Sequence, residues 1–172
     1  NPNCGKTTLF NVLTGAHQKV GNWPGVTVDR KAGRFRDNGN TVAVVDLPGI
    51  YSLAVIAGTD AVDERIGRDY ILSGEPDVLI NIVDATNLER HLYLTAQLLE
   101  MRVPMVVALN MTDVARQMGI EVDVEALAKR LGCPVVPMVA AQGKGAADLK
   151  AAVRETAAAS ALPSRQVEYG PV

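Results

Sequence analysis

Hydrophobic residues follow two patterns along most of the chain, short continuous runs and stripes at helical spacing. Continuous apolar runs bounded by proline or a polar residue are typical of parallel strands that are covered on both faces. The predicted strands of this kind are residues 77–83, 104–109 and 134–138. Stripes at helical spacing predict four helices, which run from Thr59 or Asp60 through Ser73, from Asn87, from Asp123 and over residues 146–159. Strands that alternate with helices in this way indicate a doubly wound α/β sheet.

The N-terminal part of the chain has a different pattern. An apolar stripe predicts a helix that ends near Gly15, and residues 16–28 have no periodicity, so we expect a long loop there of the kind that often serves function. Residues 30–36 and 41–47 are predicted strands, and Asn38-Gly39 between them is a strong signal for a tight hairpin turn. The α/β sheet is therefore expected to have one antiparallel arm.

Composition limits the remaining choices. With 172 residues, 48% of them hydrophobic, and a mean hydropathy of +0.10, the chain is expected to form one domain around one core. The net charge of −2, without a long basic run, argues against nucleic acid as a partner. No apolar stretch approaches the roughly 18 residues of a membrane helix. Cys4 and Cys133 are far apart in the sequence, which fits reduced thiols in the cytosol.

The chain opens on a pattern that predicts phosphate binding. Residues 1–8 read NPNCGKTT and fit G-x-x-x-x-G-K-[ST], with the leading glycine and the strand before it expected upstream of Asn1. Backbone N–H groups of such a loop and of the helix that follows bind phosphate oxygens. Gly5 lets the main chain approach the ligand, Lys6 reaches the outer phosphates, and the Thr7 hydroxyl suits Mg²⁺. The predicted phosphate-binding residues are Asn1, Asn3, Cys4, Gly5, Lys6, Thr7 and Thr8.

Two further motifs follow predicted strands. Asp46-Leu47-Pro48-Gly49 offers a carboxylate for Mg²⁺ at Asp46 and a backbone N–H for a terminal phosphate at Gly49. Asn110-Met111-Thr112-Asp113 offers an aspartate that can accept from the N1–H and exocyclic amine of guanine. Each motif also has an ordinary interpretation, a turn for the first and a helix N-cap for the second.

Two smaller signals complete the set of candidate site residues. Thr27 lies in the predicted loop and can supply a second hydroxyl to Mg²⁺ when a γ-phosphate closes that loop. Val139-Ala140-Ala141 follows the last predicted strand and can present a backbone N–H to the base carbonyl. Neither signal is informative alone, so both depend on the order of the other motifs.

In order and placement, these motifs resemble the five motifs of the GTPase superfamily, over residues 1–145. More narrowly, the chain resembles the cytosolic G domain of the ferrous iron transport protein B (FeoB) family. The stretches with this resemblance are NPNCGKTTLFNVLTG at 1–15, VGNWPGVTV at 20–28, DLPGIYS at 46–52 and NMTD at 110–113. The resemblance implies a Ras-like P-loop GTPase domain over residues 1–159, with a mixed, mostly parallel sheet and helices on both faces. It also implies that residues 160–172 are a linker toward a helical domain.

The same resemblance implies a function. The chain is expected to bind GTP and GDP and to hydrolyse GTP slowly, regulating a bacterial ferrous iron transporter at the cytoplasmic face of the inner membrane. Implied partners are the downstream helical and transmembrane domains of the same polypeptide, and an oligomer of the full-length protein is left open. The implied roles are catalysis for Lys6, Thr27 and Gly49, Mg²⁺ binding for Thr7, Thr27 and Asp46, K⁺ binding for Asn3, and base binding for Asn110, Met111, Asp113, Ala140 and Ala141.

The chain departs from common GTPase patterns at Ile50, Met111 and Ala140. Ile50 replaces a glutamine that orients the attacking water in many signalling GTPases, so hydrolysis is expected to be slow without help. K⁺ at Asn3 would then do the electrostatic work of an arginine finger, although an Asx turn is the ordinary interpretation of Asn3. Met111 and Ala140 replace a lysine along the guanine and a serine that supports the base-reading aspartate, so some use of ATP is expected.

Three questions stay open at this point. Trp23 either shields the predicted loop or covers apolar surface. A soluble ribosome-assembly or translational GTPase would use similar phosphate loops and D-x-P-G turns. A nucleotide-sensing module with incidental hydrolysis is the third interpretation.

Overall fold

The computed structural model describes residues 3–50 and 62–160. The helices are α1 (Lys6–Thr14), α2 (Val62–Leu72), α3 (Leu88–Glu100), α4 (Thr112–Gln117), α5 (Val124–Leu131) and α6 (Ala146–Ala159), with a short 3₁₀ helix at Ala140–Gln142. The strands are β1 (Gln18–Asn22), β2 (Asp29–Asp37), β3 (Asn40–Asp46), β4 (Leu79–Asp84), β5 (Met105–Asn110) and β6 (Val135–Pro137). The α/β class predicted from the sequence is confirmed. The predicted start of α2 at Thr59 or Asp60 lies outside the described residues, and so does the predicted linker 160–172 except for Ser160.

The parallel sheet β4-β5-β6 forms the centre of the molecule. Its middle strand β5 is buried at every position, as expected of a strand covered on both faces. Alternate side chains of β5 enter different cores: Val107 and Leu109 pack on the side of α3, and Val106 and Ala108 pack on the side of α1 and α6. Helices therefore lie on both faces of this sheet.

The antiparallel sheet β1-β2-β3 forms the predicted arm. Asp37 pairs with Asn40, and Asn38 and Gly39 between them have φ values of 47° and 80°, which is the geometry of a two-residue hairpin turn. The prediction of a hairpin is confirmed. The prediction of a continuous loop over 16–28 was wrong, because residues 18–22 pair with β2 as an exposed edge strand whose polar sequence lacks the alternation of a half-buried strand.

The described strands form two sheets, whereas we expected one mixed sheet. Among these strands, none pairs with the second edge of β3 or with the second edge of β4. These edges face a groove of about 690 Å³, which is lined by Val44 of β3, Ile80 of β4 and Phe10 of α1. The strand expected before the predicted phosphate loop (residues 1–8) stays a prediction.

Local signals explain where several helices begin and end. Gly15 ends α1 with a positive φ, and Asp123 begins α5 by accepting a hydrogen bond from the Ala126 N–H at 2.9 Å. Both boundaries confirm the sequence predictions. Asn87 does precede α3, but its side chain makes no capping hydrogen bond.

Candidate functional site

The phosphate-binding pattern lies in a tight turn that leads directly into α1. Asn3 and Gly5 both have positive φ, 56° and 86°, so two left-handed residues reverse the chain just before the helix. Thr7 and Thr8 are exposed in the first turn of α1, which contains no acidic residue. N–H groups in the first turn of a helix have no partner within the helix, so this end of α1 favours an anion. Asn1 lies outside the described residues.

Gly5 is required by its neighbour as well as by its backbone conformation. A Cβ added to Gly5 would lie well under 3.0 Å from Nδ2 of Asn110. We predicted a glycine here so that the main chain could approach a ligand. The structure adds a second reason, since any side chain at this position would displace Asn110.

Asn110 joins three parts of the candidate site. It stands at the end of β5, is 4% exposed, and donates from Nδ2 to the carbonyl oxygen of Cys4 at 3.0 Å. Its Oδ1 accepts from the Ala140 N–H at 2.9 Å. Both ends of one buried amide are thus used to hold the phosphate loop against the loop after β6. The alternative interpretation of Asn110 as a helix N-cap is not supported, because Met111 occupies that position.

The rest of the N-x-x-D motif faces the same end of the sheet. Met111 has a φ of 60° and begins α4, and Asp113 is half-buried in the first turn of that helix. Thr112 donates from Oγ1 to the carbonyl oxygen of Met138 at 2.9 Å, which joins α4 to the loop after β6. The sequence suggested Thr112 as one of two alternative helix N-caps, together with Asn110, but Met111 occupies that position.

The two small residues after β6 have different environments. Ala140 is 1% exposed, and its N–H is already donated to Asn110. Ala141 is exposed in the short 3₁₀ helix. Of the two predicted residues, Ala141 is therefore the one with access to a ligand.

Lys6 and Asp46 form an ion pair at the other end of the site. Lys6 begins α1 and Asp46 ends β3, and Nζ lies 2.5 Å from Oδ1 although the residues are 40 positions apart. Their side chains are 25% and 11% exposed, so both remain reachable from solvent. The carboxylate of Asp46 and the hydroxyl of Thr7 are hard oxygen donors of the kind that Mg²⁺ prefers.

The residues that follow Asp46 divide between solvent and core. Gly49 is exposed, whereas Ile50 is 6% exposed and packs in the core on the α3 side of the parallel sheet. The side chain at position 50 therefore points away from the exposed end of the turn.

Within the described ranges, the side chains of Thr27 and Asn3 are not hydrogen-bonded to the other candidate residues. Thr27 is exposed on the loop 23–28, which is closed by hydrogen bonds from the Trp23 N–H to Val28 O at 3.0 Å and from the Val26 N–H to Trp23 O at 3.3 Å. Within residues 3–50 and 62–160, the side chains of Asn3 and Thr27 make no hydrogen bond or ion pair. The Asx turn that was the ordinary interpretation of Asn3 is therefore not formed within the described residues.

The thiol in the phosphate loop is inert by position. Cys4 is fully buried, and burial raises the pKa of its thiol above the ordinary value. A neutral, buried thiol is a poor nucleophile and a poor metal ligand. The contribution of Cys4 to the site is its carbonyl oxygen, which accepts from Asn110.

The described residues contain neither a metal-binding cluster nor a membrane-spanning helix. No three His, Cys, Asp or Glu side chains in 3–50 and 62–160 come together in an arrangement that could hold a metal ion. No helix in the same part of the chain is long and apolar enough to cross a membrane.

Comparison with known proteins gives a consistent family match. The family model described as ferrous iron transport protein B matches residues 1–153. The Fe(2+) transporter FeoB of Salmonella typhimurium is 59% identical over 153 residues, which are 89% of this chain and 20% of that protein. The chain thus spans about a fifth of the length of the curated relatives it matches.

Solved structures agree with this match. The cytosolic domain of L. pneumophila FeoB superposes with a TM-score of 0.92 at 45% identity, covering 100% of this chain and 72% of that one. The cytosolic domain of the T. maritima FeoB iron transporter in its GMPPNP form has a TM-score of 0.85 at 45% identity, covering 91% of this chain and 60% of that one. The G domain of the same T. maritima transporter has a TM-score of 0.83 at 44% identity and covers 91% of this chain and 93% of that one.

Proposed function

Because this chain belongs to the ferrous iron transport protein B family, we propose that it binds GTP and GDP and hydrolyses GTP to GDP and phosphate. The observation that supports this most directly is the Asn110 side chain, which links the phosphate loop to the loop after β6. Such a link sets the distance between a phosphate site and a base site. It therefore suits a nucleotide better than an isolated phosphate.

The base end of the site is assigned to the two loops that Asn110 organises. Asp113 would accept from the N1–H and the exocyclic amine of guanine, an edge that adenine lacks. Ala141 would donate its N–H to the base carbonyl, since the N–H of Ala140 is already used. Met111 would lie along the base as an apolar surface. Ala140 leaves Asp113 without a supporting hydroxyl, so we propose weak discrimination against ATP.

The phosphate end is assigned to the start of α1 and the end of β3. Thr7, Asp46 and Thr27 would hold Mg²⁺, which supplies positive charge to the β- and γ-phosphates when bound. Lys6 would bind the outer phosphates, with Asn3, Cys4, Gly5 and Thr8 contributing backbone contacts. Nucleotide binding would open the Lys6–Asp46 ion pair, because Lys6 would pair with a phosphate and Asp46 with Mg²⁺.

Hydrolysis is proposed to be slow because no side chain at position 50 can reach the attacking water. Ile50 is an apolar residue in the core. Backbone groups at Thr27 and Gly49 would position the water, and a K⁺ ion bound by the Asn3 side chain would stabilise the developing negative charge. The exposed amide of Asn3 fits that role, since it makes no hydrogen bond within residues 3–50 and 62–160 and its oxygen can face a cation.

Base specificity tests the proposed function. Asp113→Asn should weaken GDP and GTP binding and improve binding of xanthosine diphosphate, because xanthine has a carbonyl where guanine has the exocyclic amine and can accept from an asparagine N–H. Asp123→Asn is the control, since asparagine caps a helix as well as aspartate does. Calorimetry with the three nucleotides and with ATP measures this, and a wild-type protein that takes up neither GDP nor GTP would contradict the proposal.

The cation requirement is tested separately. Steady-state phosphate release from GTP should be faster in K⁺ than in Na⁺, and Asn3→Ala should remove the difference while leaving GDP binding in place. Asn87→Ala is the control, because Asn87 is an exposed asparagine whose side chain makes no cap. Equal rates in the two salts would remove K⁺ from the proposal.

The role in the whole protein is also a proposal. We place a G domain at residues 1–159, a linker at 160–172, and after it a helical domain and a membrane region through which Fe²⁺ passes, with this chain at the cytoplasmic face of the inner membrane. The family match favours this arrangement over a ribosome-assembly GTPase. In the full-length transporter, Lys6→Ala should impair nucleotide binding and iron uptake. If Thr27→Ala binds nucleotide, fails to hydrolyse it and still supports uptake, the domain senses nucleotide and its hydrolysis is incidental.

A further inference from the structure

Trp23 at the start of the loop 23–28 is packed in a cluster of three side chains. It is 6% exposed, and its ring meets that of Tyr70 on α2 edge to face, with centroids 5.2 Å apart and planes at 70°. The guanidinium carbon of Arg30 on β2 lies 5.0 Å from the Trp23 ring centroid and 5.8 Å from that of Tyr70. The loop that contains Thr27 is therefore attached to α2 through one tryptophan.

Ring contacts and a positive charge hold the cluster. The Trp23 Nε1 and Arg30 Nε atoms are buried and have no hydrogen-bond partner in the part of the chain that the structure describes. Aromatic and cation–π contacts depend less sharply on angle than hydrogen bonds do, so the rings can slide while they stay in contact. The two unpartnered donors add a desolvation cost, which makes this packing easier to exchange for another. The contact between Trp23 and Tyr70 can therefore pass a movement of α2 to the loop 23–28 without holding that loop in one position.

The same helix contacts the turn after β3. A Cβ added to Gly67 of α2 would lie 3.1 Å from Cδ1 of Ile50, so Ile50 packs directly on the backbone of α2 at that point. Gly67 and Tyr70 are three residues apart and share one face of the helix. Ile50 follows Gly49, and Trp23 begins the loop with Thr27. Both segments proposed to sense the terminal phosphate thus rest on one face of α2.

We propose that α2 couples these two segments, and that Arg30 and Tyr70 are positioning residues that set where Thr27 lies. The proposal rests on the proposed function, because Thr27 is assigned there to Mg²⁺ and to the attacking water. A shift of the Gly49 turn moves Ile50 against Gly67, and α2 passes this shift to Trp23 through Tyr70. Arg30 contacts both rings and so holds Trp23 on Tyr70.

Trp23 is the chain's one tryptophan, so its fluorescence reports on this cluster directly. Arg30→Gln removes the charge and Tyr70→Leu removes the ring, whereas Tyr70→Phe keeps the ring. Tyr93→Leu is the control for loss of a tyrosine, because Tyr93 is 60% exposed on α3. We expect acrylamide to quench Trp23 more strongly in Arg30→Gln and Tyr70→Leu, and to quench Tyr70→Phe and Tyr93→Leu as in the wild type.

The second readout separates binding from positioning. In single-turnover reactions with GTP, Arg30→Gln and Tyr70→Leu should lower the hydrolysis rate by about 3- to 10-fold, the size expected for loss of one such contact. GDP affinity should stay within about 2-fold, because the phosphate loop and Asp113 are untouched. Tyr70→Phe should restore the wild-type rate.

Several outcomes would overturn the coupling while leaving the proposed function intact. Unchanged quenching would show that the cluster does not hold Trp23. Stronger quenching with an unchanged hydrolysis rate would show that the cluster does not position Thr27. Equal effects of Tyr70→Phe and Tyr70→Leu would show that the Tyr70 ring is not the cause of the slower hydrolysis. Wild-type calorimetry comes first, since absence of GDP and GTP binding there would contradict the proposed function itself.

Discussion

Asn110 donates its side-chain N–H to the carbonyl oxygen of Cys4, a residue 106 positions earlier in the chain, at 3.0 Å. Because Asn110 also accepts from Ala140, a single buried amide fixes the phosphate loop relative to the loop after β6. The two ends of the proposed nucleotide site are thus held together by protein contacts. A nucleotide can bind there with little rearrangement of the base end.

Replacing this amide should cost both stability and affinity. Asn110→Ala removes the hydrogen bond to the Cys4 carbonyl oxygen and the one from the Ala140 N–H, which we expect to lower the free energy of unfolding by about 2–4 kcal/mol. Loss of the link should also weaken GDP binding by about 10-fold or more. Urea unfolding and calorimetry measure the two effects.

Asn81 provides the matched control for Asn110. It is also 4% exposed, and it donates to the Thr95 hydroxyl at 2.8 Å within the fold. Asn81→Ala should therefore destabilise the protein by a similar amount and leave the GDP affinity of the folded protein unchanged. A similar loss of GDP affinity in Asn81→Ala and Asn110→Ala would mean that affinity depends on the stability of the fold. The specific role proposed for Asn110 would then be wrong.

Gly5→Ala tests the close packing beneath the phosphate loop. The variant combines a positive φ with a Cβ that collides with Asn110, so the loop must move and the Asn110–Cys4 hydrogen bond must break. We expect loss of GDP binding by calorimetry. Gly74→Ala has a similar φ of 75° but open space around the new Cβ, so it should cost only about 1–2 kcal/mol and leave binding intact.

Asp46→Asn tests the assignment of Mg²⁺ to the end of β3. Removing the carboxylate charge should shrink the gain in GTP affinity that Mg²⁺ gives over EDTA, because a neutral amide oxygen is a weaker ligand for a divalent cation. Asp37→Asn is the control, since Asp37 pairs with Arg154 of α6 away from the phosphate loop. An unchanged Mg²⁺ effect in Asp46→Asn would exclude the proposed ligand.

His91 should make stability depend on pH. It is buried in α3, accepts from the Asp84 N–H at Nδ1 at 3.3 Å, and burial lowers its pKa below the ordinary value of 6.5. The unfolded chain then binds a proton more readily than the folded one, so the free energy of unfolding should fall as the pH drops below 6.5 and level off below the folded pKa.

Unfolding by urea from about pH 7 to about pH 5 checks the contribution of His91. His91→Gln should flatten the decline in stability, because glutamine does not titrate. His17→Gln is the matched control for replacing a histidine, at an exposed position. If the decline has the same slope in wild type and His91→Gln, other groups cause it.

Local signals in the sequence were sufficient for much of the fold. Asn38-Gly39 predicted the hairpin because that pair tolerates positive φ at both positions, and Asp123 predicted the start of α5 because its carboxylate caps the helix. The apolar run at 104–109 predicted β5 because a strand covered on both faces has no polar side. Each of these features depends on residues that are close in sequence.

Features that depend on distant residues were not predictable in the same way. β1 is polar and exposed, and it becomes a strand only because β2 offers hydrogen bonds along its edge. The motif containing Asn110 predicted a base-binding residue, but nothing local shows that its amide reaches Cys4 and Ala140. The contact between Trp23 and Tyr70 joins residues 47 positions apart in sequence, and nothing local in either segment indicates it.

β5 is buried along its whole length and ends at Asn110. Amide protons on such a strand exchange with solvent mainly when the whole molecule opens, so β5 should be among the last segments to take up deuterium. The base end of the proposed site is thus anchored to a strand that is buried at every position, whereas Thr27 is exposed. Exchange of a diphosphate for a triphosphate is therefore expected to change the conformation of the phosphate end, where the backbone can rearrange without opening the core.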